Sequence, residues 1–240
     1  MGTAALHQNL YFFRIADGAL IRTVSAHSKG TTGVAFTPDG ALLVSGGRDR
    51  TVKLWRVSDG ALVNTFNQGI RVMSVAVSPD GQVVASGSSN GEIKLWRVSD
   101  GALLGSLTGH TDNVFSLAFS ADGALLASGG ADESVRLWVL PGKSLSRTIA
   151  VPNGGAASSV AFTRDGRAVI AGTSELITSP DGSIQSLGAL RFWRVSDGAL
   201  LLTYDQQTGI TVDSLALSPN GELLSYGRQD GGVVVALSPF

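Results

Sequence analysis

Three histidines, His7, His27 and His110, hold all the imidazole chemistry open to this chain, and no cysteine accompanies them. Thiolate nucleophiles, disulfides and Cys-based zinc or iron–sulfur sites are excluded, and a histidine metal cage is too poorly supplied to form. Carboxylates are more plentiful, and two sets recur: Asp39, Asp80, Asp122 and Asp165, then Asp17, Asp59, Asp100 and Asp197. A ring of carboxylates could bind a cation. Each of these, however, stands directly before a glycine, the signature of a turn former. No nucleotide fingerprint, GxSxG or HExxH pattern occurs, and Gly46-Gly47, Gly129-Gly130 and Gly154-Gly155 follow apolar runs without opening a helix. The expectation is a chain with no catalytic residue, no metal and no cofactor.

The elements that position these side chains follow from composition. Of 240 residues 43% are hydrophobic, enough for a solid core, and 31 are glycine against seven proline, which asks for many tight turns. Eighteen basic residues face nineteen acidic ones with no block of like charge, so neither nucleic acid nor an anionic membrane surface is an expected partner. No apolar run reaches the roughly 18 residues of a membrane span, and MGTAALHQNLYFF has no signal-peptide pattern. A cytoplasmic location is expected. Fourteen arginines against four lysines, with abundant Ala and Gly, point to a GC-rich bacterial source.

Self-similarity organises the whole chain. An aromatic residue recurs at Phe13, Trp55, Trp96, Trp138 and Trp193, at steps of 42, 41, 42 and 55, and a turn signal keeps time with it at Asp39, Asp80, Asp122, Asp165 and Asn220. Each unit reads as four short β-rich runs, a to d, such as VAFT, LLVSGG, TVKLWRV and ALVNTF, ended by Asp-Gly turn chemistry. No stretch shows sustained helical spacing with caps. The chain is predicted to be all-β.

These residues resemble the WD40-repeat β-propeller family from about Leu10 to Phe240, although the dipeptide Trp-Asp never occurs. The resemblance implies four-stranded antiparallel blades around a central channel, about five of them, with repeat units near 25–66, 67–107, 108–150, 151–204 and 205–240. Residues 1–9 then form an N-terminal segment and 10–240 one propeller domain. It further implies a buried structural tetrad of His, Ser, Asp and Trp in two units, as His27, Ser45, Asp49 and Trp55, and as His110, Ser128, Asp132 and Trp138. Unit two has Gln68, Ser86, Asn90 and Trp96; unit four has Asn153, Ala171 and Trp193 with its turn replaced; unit five has Thr208, Tyr226, Asp230 and Ala236.

The strand inventory is uneven: five of types a, b and d, but six of type c. If the ring closes within one chain, Ala19 to Val24 completes the blade begun at Ser214 to Leu237, and Tyr11 to Ile15 is left over with three aromatic side chains. Closure by terminal strand exchange or by dimerisation is therefore expected, with a homodimer formed through Tyr11 to Val24 and Val233 to Leu237; a piece of a longer repeat array is the alternative.

The resemblance places function in the d-to-a and b-to-c loops at the channel mouth. There the sequence sets Arg48, Arg50, Arg71, Asp112, Asn113, Glu133, Asn153, Glu175, Arg228 and Gln229, a mixed polar set suited to a protein or peptide partner. An insertion from Glu175 to Ala189 lengthens one such loop into a small hairpin about Ser179, Pro180, Asp181 and Gly182, expected to rise above that face. The expected function is a non-catalytic binding scaffold. A hydrolase working at the same mouth, with Asp112, Glu133 and Glu175 as its first carboxylates, stands as the alternative.

Overall fold

Short apolar runs broken every few residues by Asp-Gly leave the backbone one way to satisfy its amides, by pairing with the next run, and the molecule is built of such antiparallel meanders. The computed structural model describes residues 8–178, 182–209 and 211–238, so His7 and Ser179, Pro180 and Asp181 lie outside the described residues. Among the described residues 21 strands occur, and one 3-10 turn at Pro152–Gly154 stands in place of any α-helix.

The chain divides into two compact units, residues 1–109 and 110–240. The first holds the two-stranded sheet β1 (Asn9–Phe13) and β2 (Leu20–Ser25) and two four-stranded blades: β3 (Thr31–Phe36), β4 (Leu42–Gly47), β5 (Thr51–Arg56) and β6 (Leu62–Asn67), then β7 (Val72–Val77), β8 (Val83–Ser88), β9 (Ile93–Arg97) and β10 (Leu103–Leu107). The second holds blade three, of β11 (Val114–Phe119), β12 (Leu125–Gly130), β13 (Ser134–Val139) and β14 (Ser144–Ala150). Blade four follows with β15 (Ala156–Phe162), β16 (Ala168–Thr178), β17 (Ile184–Arg194) and β18 (Leu200–Thr208), and blade five with three strands, β19 (Val212–Leu217), β20 (Leu223–Arg228) and β21 (Val233–Leu237). These are the propeller blades the repeat implied, in the order a, b, c, d.

The recurrent aspartates are consumed inside their own turns. In the a-to-b turns a hydroxyl two residues upstream donates to the carboxylate, as Thr37 to Asp39 (2.5 Å) and Thr163 to Asp165 (2.7 Å), while the same oxygen accepts the amide two residues on. Those hydroxyl bonds, with the amides, hold Asp39, Asp80, Asp122 and Asp165 below the usual carboxylate range. In the c-to-d turns Asp59, Asp100 and Asp197 each accept the amide two residues on, at 2.9–3.0 Å, and the guanidinium three residues earlier, at 2.7–2.8 Å.

Adjacent blades within each unit cover one another's apolar faces. Val44, Val52 and Leu54 of blade one meet Val72, Val84 and Trp96 of blade two, with Phe66 stacked on Trp96 at 5.6 Å. In the second unit Val135, Leu137 and Ile149 meet Val160, Val169 and Trp193, and Ile170, Leu190 and Phe192 meet Val212, Leu224 and Tyr226. Strand a of one blade is also pinned to the next, since the Thr32 hydroxyl donates to Val72 O at 2.9 Å and Ser158 does the same to Val212 O.

The leftover c strand has a partner. β1 pairs with β2, Leu10 opposite Val24 and Tyr11 opposite Thr23, and the pair behaves as the outer half of a blade laid on blade one. Leu10, 1% exposed, closes against Leu43 and Trp55, and Arg22 donates to Val57 O and Ser58 O. Among the described residues β2 is hydrogen-bonded to β1 alone, and β21 to β20 alone. A two-stranded hairpin is marginal by itself, so its order depends on that apolar anchor. Leu10→Ala, a change that typically costs about 2–5 kcal/mol in a core, should release β1 and β2 first: hydrogen exchange will show their amides losing protection while those of β5 and β9 keep it.

Candidate functional site

The loops of greatest interest, b to c and d to a, are held by a relay of hydrogen bonds that begins on the recurring tryptophan. In blade one Trp55 Nε1 donates to Ser45 Oγ at 2.8 Å, Ser45 meets His27 Nε2 at 2.8 Å, and His27 Nδ1 meets Asp49 Oδ1 at 2.8 Å. Blade three repeats the arrangement through Trp138, Ser128, His110 and Asp132 at 2.8, 2.7 and 2.8 Å. The Asp49 carboxylate can only accept, so His27 Nδ1 carries the proton that bonds it; in the neutral ring that burial favours, Nε2 is unprotonated and takes the Ser45 hydroxyl hydrogen. Blade two follows the same logic with other atoms: Trp96 donates to Ser86 at 2.7 Å and Ser86 to Gln68 Oε1 at 2.7 Å. The shared requirement is a neutral acceptor above the serine.

The choice of acceptor is tied to its neighbour. A Cβ at Gly47 would come within 2.3 Å of the His27 ring, and one at Gly130 within 2.7 Å of His110, so both imidazoles demand glycine opposite. Blade two has Ser88 at that position and carries Gln68 in place of histidine. Ser88 in turn bonds Asn90 at 2.6 Å, and the Gln68 amide nitrogen is left without a partner.

Blade four replaces the relay with an ion pair. Ala171 stands at the serine position and offers no hydroxyl; four residues on, as Asp49 is four beyond Ser45, comes Glu175. It is 0% exposed, it accepts Asn153 Nδ2 at 3.0 Å and Arg191 Nε at 2.7 Å, and it forms a salt bridge with Arg191 Nη2. The expectation that Glu175 faces solvent as a binding or catalytic carboxylate is therefore corrected: it takes the aspartate's place in a buried network completed by Thr173 and Thr203. Removing one partner of such a pair strands a charge, typically at about 3–5 kcal/mol. Arg191 escaped the sequence reading, yet a basic residue precedes every strand-c tryptophan by two, at Lys53, Lys94, Arg136 and Arg191, and the first three lie within 4.0 Å of Asp49, Glu92 and Asp132.

The inserted segment continues strands b and c as an 11-residue ladder on each side, from Ala168 opposite Arg194 to Thr178 opposite Ile184, with Leu176 and Ile184 exposed near its tip. The remaining predicted residues divide by what they already hold. Arg228 pairs with Asp230 at 3.0 Å, Gln229 accepts from Thr211 at 3.3 Å, and Asp112 takes the amide and side chain of Asn113 at 2.6 and 2.7 Å. Glu133 lies exposed beside Gly154, and Arg48, Arg50 and Arg71 are exposed. At the opposite end of blade four sits a cavity of about 650 Å³ lined by Thr163, Asp165, Arg167, Arg194 and Leu201, but its carboxylate is taken by Thr163 and Arg194 by Asp197. Among the described residues no group of three His, Asp or Glu side chains could hold a metal, and no helix is long and apolar enough to cross a membrane.

Repeated blades with this relay define a class of repeat protein. The chain is a WD40-repeat protein: the WD domain, G-beta repeat family model matches residues 18–56, 60–97 and 101–139. It is similar to an uncharacterised WD repeat-containing protein of Synechocystis, 39% identical over 62 residues, 25% of this chain and 18% of that one. It is also similar to protein Mut11 of Chlamydomonas reinhardtii, 55% over 42 residues, 18% of this chain and 11% of that one, and to pre-mRNA-processing factor 19 of rice, 34% over 59 residues, 25% and 11%. The aligned stretch spans no more than 18% of any of these relatives. WD40-repeat proteins act in general as protein-interaction scaffolds.

The relay gives stability a pH dependence whose sign is fixed. Burial lowers His27 and His110 below their ordinary 6.5, against the opposing pull of Asp49 and Asp132. The unfolded chain therefore takes up these protons first as pH falls; the stability is intact above about 6.5 and is lost as pH drops from there toward the lower folded values. Urea titrations should give a flat midpoint above that point and a falling one below it, and His110→Gln, which keeps a neutral acceptor, should flatten part of the descent.

Proposed function

We propose that the protein is a non-catalytic scaffold that binds a protein or peptide through its b-to-c and d-to-a loops. One observation carries this reading: the backbone there holds charged side chains where glycine is preferred. In four blades the b-to-c residue immediately after the tetrad's aspartate position has positive φ. Blades two and five fill it with Gly91 (φ 87°) and Gly231 (φ 85°), but blades one and three fill it with Arg50 (φ 72°) and Glu133 (φ 63°). A left-handed non-glycine residue strains the chain, and among the described residues neither side chain has a hydrogen bond or ion pair to offset it. Their value lies in what they present to solvent.

Arg50→Gly and Glu133→Gly should then leave stability unchanged or raise it by up to about 1 kcal/mol, while weakening binding. The partner side of the test is a displayed peptide library selected on the whole chain, with the enriched peptides mapped by hydrogen exchange. Protection in the loops around residues 48–51, 68–71, 112–113 and 131–133 supports the reading; protection confined to the a-to-b and c-to-d turns overturns it.

Self-association belongs to the same proposal. Among the described residues β21 is paired on one side only, and Val233, Val235 and Leu237 are 74, 63 and 80% exposed, an apolar open edge of the kind that recruits another strand. Strand exchange with a second copy through β1, β2 and β21 would cover it. Light scattering should give a single dimer mass that Val235→Lys reduces to the monomer; a monomer at every concentration argues against it.

A further inference from the structure

Resting on that reading, we infer that the loop end of residues 1–109 is selective for acidic peptides, with Lys29, Arg48, Arg50 and Arg71 as the groups that receive their carboxylates. The argument starts from how cations are used elsewhere. Eleven of the fourteen arginines hold a carboxylate, a carbonyl or a hydroxyl: Arg56, Arg97 and Arg194 close their turns, Arg22, Arg147 and Arg164 bridge to carbonyls of a neighbouring blade, and the rest are paired. Lys53 and Lys94 donate to Ala26 O and Gln68 O. Arg48, Arg50, Arg71 and Lys29 do none of this. All four are exposed, without a side-chain partner among the described residues, and all four lie between positions 29 and 71.

The fold brings the loops that carry them together. Arg48 N donates to Gly30 O at 3.0 Å, which sets the b-to-c turn of blade one beside Lys29, and Gln68 N donates to Arg50 O at 3.0 Å, which sets the same turn beside the loop that leads to Arg71. That end has two carboxylates of its own, and both are engaged: Asp49 with His27 and Thr51, Glu92 with Ser106 at 2.7 Å and near Lys94. The aspartates of the a-to-b and c-to-d turns sit at the other end of each blade. The imbalance extends to the sequence, since residues 1–109 carry ten basic and seven acidic side chains, and 110–240 eight and twelve.

Guanidinium groups spread over two tied loops suit a ligand that offers several carboxylates along an extended chain, each a charge-assisted, bidentate contact. Nucleic acid is the other polyanion. The loops at 27–31, 47–51, 67–72 and 88–92 contain no Phe, Tyr or Trp on which a base could stack, which favours the peptide.

Fluorescence anisotropy on the full chain tests this with four labelled octamers, oligoglutamate, oligoglutamine, oligolysine and oligothymidylate, at low and at high salt. The expected result is binding of oligoglutamate alone, weakened by salt, and reduced at least tenfold in R48E/R50E/R71E. R56E/R97E, which reverses two charges at the opposite end of the blades, should change it less than twofold. Because the three reversed side chains have no partner among the described residues, the triple variant should keep the parent's melting temperature, so loss of binding will not be loss of structure. Failure of oligoglutamate to bind, equal binding by the triple variant, or tighter binding of oligothymidylate overturns the inference. Oligoglutamine or oligolysine binding that protects these same loops overturns the acidic preference and leaves the scaffold reading standing.

Discussion

A single serine hydroxyl, buried beneath a loop and required to accept from an indole on one side, decides much of this architecture. Its own hydrogen goes to the acceptor held above it, a ring nitrogen in blades one and three and an amide oxygen in blade two. From that follows the neutral imidazole of His27 and His110, the carboxylate that orients each ring, and the glycine opposite that makes room for it. Blade two shows that the demand is for an acceptor rather than for histidine: once Ser88 occupies the glycine's place, Gln68 supplies the oxygen. The relay ties strand c to the d-to-a loop across strand b, so the b-to-c and d-to-a loops are fixed by groups buried beneath them.

Much of this was legible in the sequence because the repeat is written twice, once in the aromatics and once in the turns. The strand inventory and the turn role of the aspartates could be read from spacing, since each is a local pattern copied at a fixed interval, whereas the two complete tetrads came from the resemblance to the WD40-repeat family. Glu175 was misread for an instructive reason. The insertion after it drew attention to the turn that was lost, whereas its distance from Ala171 kept the register of the aspartate it replaces; burial then follows from Arg191 beside it. The pairing of β1 with β2 was harder to foresee, because two strands of type c compete for one type of neighbour and nothing local to either states which will be taken.

What no pattern could supply is which exposed charges are free. Arg56 and Arg48 look alike in a list of basic residues, but Arg56 is spent on Asp59 and Arg48 is not. Arg228, two residues from Asp230, belongs with the former. Selectivity at a loop face depends on this remainder after internal pairing, and it emerges only when every side chain has been placed.

The uneven division of charge has a practical side. A formal net charge of -1 suggests a protein that ion-exchange resins would ignore near neutrality. With a surplus of three positive charges in one stretch and four negative in the other, the chain should instead adhere to both kinds of resin at the same pH, held on each by a different half. Its mobility in a field will report the sum, while its behaviour at charged surfaces will follow the parts.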